Sequence, residues 1–183
     1  MSEKNTLVRS AHDVGLAAWF GGSLMGAVGL NGAAAKAADP RERLALSATG
    51  WGRWAPVNAT AVLVHTIGGL GLIGANKARV ATQPGARANT VAKTALTGVA
   101  AALTAYSGIL GRTVARKSEQ GGAGATEPSP QADEELEKAQ RQLKVVQWAI
   151  PVTTGVLVVL AAQQGEQQRP QSLLRHQLGR VTG

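Results

Sequence analysis

Residues 61 to 79 read AVLVHTIGGLGLIGANKAR, and within them Gly69, Gly71 and Gly74 fall in the G-x-G-x-x-G spacing of a dinucleotide-binding turn. The same glycines suit a close-packed membrane helix, because small side chains let a second backbone approach. A Rossmann turn needs a strand before it, a helix after it and an acid about 20 residues further on for the ribose hydroxyls. No Asp or Glu occurs between Glu42 and Glu119, and no alternation of strand and helix patterns elsewhere would build a parallel sheet. The glycines are therefore read as a packing surface inside a membrane-spanning helix.

Working outward, that helix belongs to one of four windows, 14–35, 54–76, 94–111 and 145–165, none of which contains Asp, Glu, Lys or Arg. A soluble amphipathic helix would carry charge along its outer face. Helices of about 18 to 23 residues, rising ~1.5 Å per residue, reach roughly 27 to 35 Å, the thickness of a bilayer's hydrocarbon. The expected fold class is all-α, a four-helix transmembrane bundle. Around the spans the chain divides into a polar N-terminus (1–13), an interfacial connection with a short interfacial helix after span 1 (36–53), a basic loop (77–93), a flexible linker followed by a charged helix (112–144) and a basic C-terminal tail (166–183).

Composition excludes several classes. Lys and Arg number 19 against 11 Asp and Glu, a net charge of +8, yet one Phe and one Tyr leave bases little to stack on. No nucleic-acid partner is expected. With no Cys there is no disulfide, thiolate metal site or cysteine nucleophile. The rival to a first span is a signal peptide, with Lys4 and Arg9 as its basic region and Ala35, Lys36 and Ala37 as its cleavage site; Glu3 and Asp13 count against it. Basic residues divide almost evenly between the two sides of a four-span topology. The acids tip the balance towards both termini in the cytoplasm.

Between the spans, Trp51 and Trp54 stand where span 2 should meet the headgroups, and Trp148 does so for span 4, so all three are expected as interface anchors. The acid-free loop with Lys77, Arg79, Arg87 and Lys93 suits anionic lipids, and Pro84 with Gly85 predicts a turn there. The stretch EQGGAGATEPSPQA reads as a flexible linker. DEELEKAQRQLK then pairs Glu134 with Lys138 and Glu137 with Arg141, predicting a helix that runs into span 4. The tail carries Leu173, Leu174 and Leu178, which suit surface association.

Polar residues form stripes. Asn58, His65 and Asn76 share a face of span 2 beside Gly69; Thr90, Thr97, Thr104 and Gly111 recur every seventh residue on span 3, as do Gln147, Thr154 and Ala161 on span 4 and Gly15, Gly22 and Gly29 on span 1. These faces should turn inward, since lipid offers amides and hydroxyls no partner. Gly15, Gly22, Gly26, Gly29 and Gly69 are the expected helix-packing residues, either within the chain or in a homo-oligomer or with other membrane proteins. His65 sits mid-span; a neutral ring there offers one donor and one acceptor. It is expected either to bond across to another helix or to work as a proton relay or ligand contact. Met25 lies at matching depth on span 1 and would be its partner in a metal or haem site. His12 lies at the membrane edge beside Asp13, read as a helix cap. No carboxylate pair, ligand cluster, nucleophile elbow or Walker sequence occurs, so no catalytic residue, cofactor or metal is expected.

HDVGLAAWFGG (His12 to Gly22), DPRER (Asp39 to Arg43), GWGRWAPVN (Gly50 to Asn58), AKTALT (Ala92 to Thr97), QLKVVQWAIP (Gln142 to Pro151) and GEQQRP (Gly165 to Pro170) resemble an uncharacterised family of small four-span actinobacterial membrane proteins. The resemblance implies an integral protein of the cytoplasmic membrane and brings no site residues. WFGG followed by paired Trp also resembles broader four-span families with oxidoreductase or copper-handling members. The expectation is a non-enzymatic structural or interaction component of the cell membrane. The alternatives are a small transporter or proton-conducting protein centred on His65, and a membrane oxidoreductase or cofactor subunit.

Overall fold

The computed structural model describes residues 3–167, and the basic tail with Leu173, Leu174 and Leu178 lies outside them. Helix α1 (Glu3–Met25) passes through one π-helical turn (Gly26–Leu30) into α2 (Asn31–Ala34), and after a short connection α3 runs over Pro40–Ala75. Helix α4 (Lys77–Thr82) leads into α5 (Pro84–Arg116), and a 3₁₀ turn (Ser118–Gln120) with a loop leads into α6 (Glu134–Gln167). Four helices are long and apolar enough to cross a membrane, beginning at Thr6, Pro40, Pro84 and Glu134. Among the described residues there is no strand, only one isolated bridge between Gly122 and Pro128.

The long helices form an antiparallel ring in which α1 packs on α3 and α6, and α5 packs on α6 and α3. The described chain therefore starts and finishes at the same end of the bundle. The core holds Trp19, Leu44, Ala100, Leu110, Leu136, Leu143, Val146 and Ile150. Outward faces carry Ile67, Leu70, Val152 and Val159, all more than half exposed, as helices surrounded by lipid would.

Three connections differ from the expectations. The separate interfacial helix within 36–53 is instead the start of α3. Asp39 caps that helix by accepting from the Arg41 N–H at 2.8 Å, with Pro40 at its first position. No proline then interrupts it before Trp54, and Gly50 is covered by the Leu30 side chain. The basic loop is likewise helical: Pro84 begins α5 rather than turning a loop, because a proline at the first helical position sacrifices no hydrogen bond.

The linker is the third case. Gly121, Gly122, Gly124, Ala125 and Thr126 are buried, and the Gln140 amide, itself fully buried, donates to the carbonyls of Gly124 (3.3 Å), Ala125 (3.4 Å) and Glu127 (3.3 Å). Gly121 takes φ 72°, the left-handed conformation glycine permits, where the chain turns back over Pro40. Composition alone suggested flexibility, but the Gln140 side chain of α6, with Arg43 of α3 donating to the Ala123 carbonyl at 3.1 Å, organises the loop. The charged helix after it is present, with the Glu137–Arg141 pair formed at 2.6 Å.

Candidate functional site

The glycines of α1 set its contact with α3. A Cβ on Gly15 would stand 2.7 Å from the Ala61 carbonyl oxygen and 2.8 Å from the His65 nitrogen, both backbone atoms. One on Gly68 would stand 2.8 Å from the His12 Cβ. The arrangement is reciprocal: His12-x-x-Gly15 on one helix and His65-x-x-Gly68 on the other each use a glycine to admit the opposite histidine's backbone. Farther along, Gly22 receives the Trp54 ring and Gly26 the Trp51 ring. Gly29 leaves this face. Gly26 follows Gly22 by four residues on the same face and is buried, and the π-helical turn that starts there adds a residue to the helical period, so Gly29 meets only Met25 of its own helix.

Close approach brings the two histidines together. Their rings stack with centroids 4.0 Å apart and 19° between planes. Nδ1 of His12 lies 2.7 Å from the His65 carbonyl oxygen, and Nδ1 of His65 lies 3.1 Å from the His12 carbonyl oxygen. A carbonyl only accepts, so both rings carry a proton on Nδ1, and in the neutral form Nε2 is left as acceptor. For His65 that atom faces the Thr97 hydroxyl at 3.4 Å. His65 is thus buried as expected and bonded to a threonine of another helix, while His12, half-buried, stacks at the level of His65, six residues into the first apolar helix, rather than marking its edge.

Met25 is not a partner of His65. It is 63 % exposed and lies near the level where α1 meets Trp51, so the His and Met pair considered for a metal or haem has no geometric basis. No group of three or more His, Asp or Glu side chains suited to a metal occurs among the described residues. Asn76 caps the end of α3, its amide donating to the Leu72 carbonyl at 2.8 Å. Asn58 is half-buried, and its side-chain oxygen finds no partner among the described residues. Gly69 faces the His12 ring. Trp51 and Trp54, expected at the headgroups, turn onto α1 because its glycines leave room for them, whereas Trp148 is 49 % exposed.

Two further groups were missed. Trp19, fully buried, donates from Nε1 to the Thr104 hydroxyl at 3.0 Å and meets the His65 ring edge-on at 6.1 Å. Asn31 is a hub: its amide donates to Gln147 at 2.7 Å while its oxygen accepts from Trp51 at 2.9 Å and Ser47 at 3.2 Å. The sequence signal for the histidine pair was the repeated H-x-x-G. For Asn31 it was only an amide at the end of a small-residue span.

Between the histidines and the nearer end of the bundle lies a cavity of about 150 Å³. Arg9 and His12 of α1, His65 and Leu70 of α3, Lys93 of α5 and Leu157 of α6 contribute to its wall. Lys93 and Arg9 are partly buried, and Asp13, exposed on α1, acts on Lys93. No family model, curated protein or solved structure matches this chain.

Proposed function

We propose that the protein is a non-enzymatic interaction component of the bacterial cytoplasmic membrane, holding a ligand in a cavity confined to one end of the bundle. The observation that carries this reading is the hydrogen bonding beyond His65. The Trp19 indole can donate but not accept, and the Thr104 hydroxyl that receives its proton already donates to the Ala100 carbonyl at 2.8 Å. A proton relay needs groups that do both. The polar path from the cavity therefore stops there, and the Asn31 hub belongs to a separate network nearer the other end.

This favours ligand holding over conduction, the principal alternative. The family resemblance supports the actinobacterial setting and a cytoplasmic membrane. Purified protein in liposomes, with a potassium diffusion potential and an internal pH dye, tests the reading. Proton entry should match protein-free liposomes. Entry above that level which disappears in His65→Ala would overturn it in favour of a proton-conducting protein.

A further inference from the structure

We propose that the cavity takes the phosphate headgroup of an anionic membrane lipid that enters sideways between α3 and α5. The proposal rests on the one-ended cavity described above and adds the chemistry of its occupant. Two cationic side chains from different helices, Arg9 and Lys93, meet at one void, and Thr94 adds a hydroxyl on the α5 side, that of Thr90 being donated to the Ala86 carbonyl at 2.8 Å. The first turn of α5 also reaches the cavity at Ala86. Asp13 on α1 supplies a counter-charge close to Lys93. Phosphate oxygens accept from such a set and carry the complementary charge.

Size and lining decide between a lipid and a soluble anion. About 150 Å³ accommodates on the order of five water volumes of ~30 Å³ each, room for a phosphate and a few carbons but not for acyl chains. Most of the wall is nonetheless apolar, with Leu16, Leu70, Ile73 and Leu157 among its residues. Leu70 and Thr66 line the cavity and are also exposed on the outer face of α3, as is Thr94 on α5. The mouth therefore faces laterally, where Ile67, 66 % exposed, continues an apolar track for a chain lying in the bilayer. A headgroup inside with its tails outside satisfies both observations.

The test uses the full-length protein in nanodiscs of phosphatidylcholine containing a minor fraction of phosphatidic acid, with retained lipid counted by native mass spectrometry. One phosphatidic acid should be retained per chain, at least tenfold over phosphatidylcholine, and Arg9→Gln and Lys93→Gln should each lower that preference about tenfold. Lys93→Arg should preserve it. Equal retention of the two lipids, or a preference indifferent to both substitutions, overturns the proposal. So does displacement of the lipid by millimolar inorganic phosphate, which would mark the cavity as a free-anion site. Should the variants fail to fold, wild-type protein at high salt decides: a headgroup held inside stays selected because buried charges are weakly screened, whereas loss of selectivity means surface adsorption and overturns the proposal. Proton-tight liposomes with no lipid preference would remove only this inference. A His65-dependent leak would remove the one-ended cavity itself.

Discussion

The two ends of the bundle use polar residues in opposite ways. At the end where α3 begins and α5 finishes, polar side chains tie separate parts of the chain together. Asn31 ties α2 to α3 and α6, and Arg43 clamps the carbonyls of Ala37 at 2.7 Å, Ala38 at 3.3 Å and Ala123 at 3.1 Å, joining two connections. Gln140 gathers the loop. At the other end, Arg9, His12, Lys93 and the α5 threonines surround a void. The first set fixes how connections and helices meet, whereas the second also lines a space that a ligand can fill.

Substitutions can break or sharpen that contrast. The largest effect belongs to Gly15→Ala, where the new methyl meets backbone of α3 and the helices must part. A loss of about 1–3 kcal/mol is expected, read as a lower midpoint of thermal unfolding in detergent and as weaker coupling between the two ends. Gly98→Ala is the control: nothing lies within 4 Å of its Cβ, so stability should stay level or rise by up to about 1 kcal/mol from helix propensity.

Next comes Asn31→Leu, which leaves Gln147, Ser47 and Trp51 without their partner. It should cost about 1–2 kcal/mol in the same melt while leaving lipid retention at the cavity end unchanged. Loss of retention would mean that the ends are not separable. Gln140→Leu removes the donor shared by three loop carbonyls. Protease should then cut the 121–132 segment faster, with the bundle's melting point lowered by no more than about 1 kcal/mol equivalent.

The smallest effect is pH-dependent and belongs to the same loop. A hydrogen bond from Lys117 holds the Asp133 carboxyl well below the usual carboxylate range, helped by Gln120; Lys117 in turn is raised by its bonds to Asp133 and to Glu135, the latter at 2.8 Å. A lowered carboxyl contributes protection that is complete above its ordinary 3.8 and fades as pH falls through the folded value. The raised lysine contributes below its ordinary 10.5, and that part fades as pH climbs through its folded value. Hydrogen exchange of the loop should thus show pair-dependent protection between these limits, abolished in Asp133→Asn. A flat difference between wild type and variant down to strong acid would contradict the linkage.

Much of the candidate site was visible in part. His65 was marked by its isolation in an uncharged span, and Thr97, Thr104, Gln147 and Thr154 by a seven-residue period that a helix imposes on its own faces. His12 was misplaced because it adjoins Asp13, and distance from the nearest charge was taken as depth. Exposure of Asp13 at the helix surface while His12 turns inward shows that adjacent residues on a helix point about 100° apart. The 121–132 segment was misread because its composition suits a linker, and the amide that organises it lies in α6.

Charge segregation, span length and helical period are local properties, so the amino-acid order alone determines that this chain makes four long apolar helices with polar stripes. Which stripes meet is settled between helices. The depth at which Gly15 and Gly68 interlock sets the register that stacks His12 on His65, and one π-helical turn takes Gly29 off the face on which Gly22 and Gly26 receive the tryptophans. Those outcomes depend on the fit of surfaces distant in the chain, and only the packed bundle supplies them.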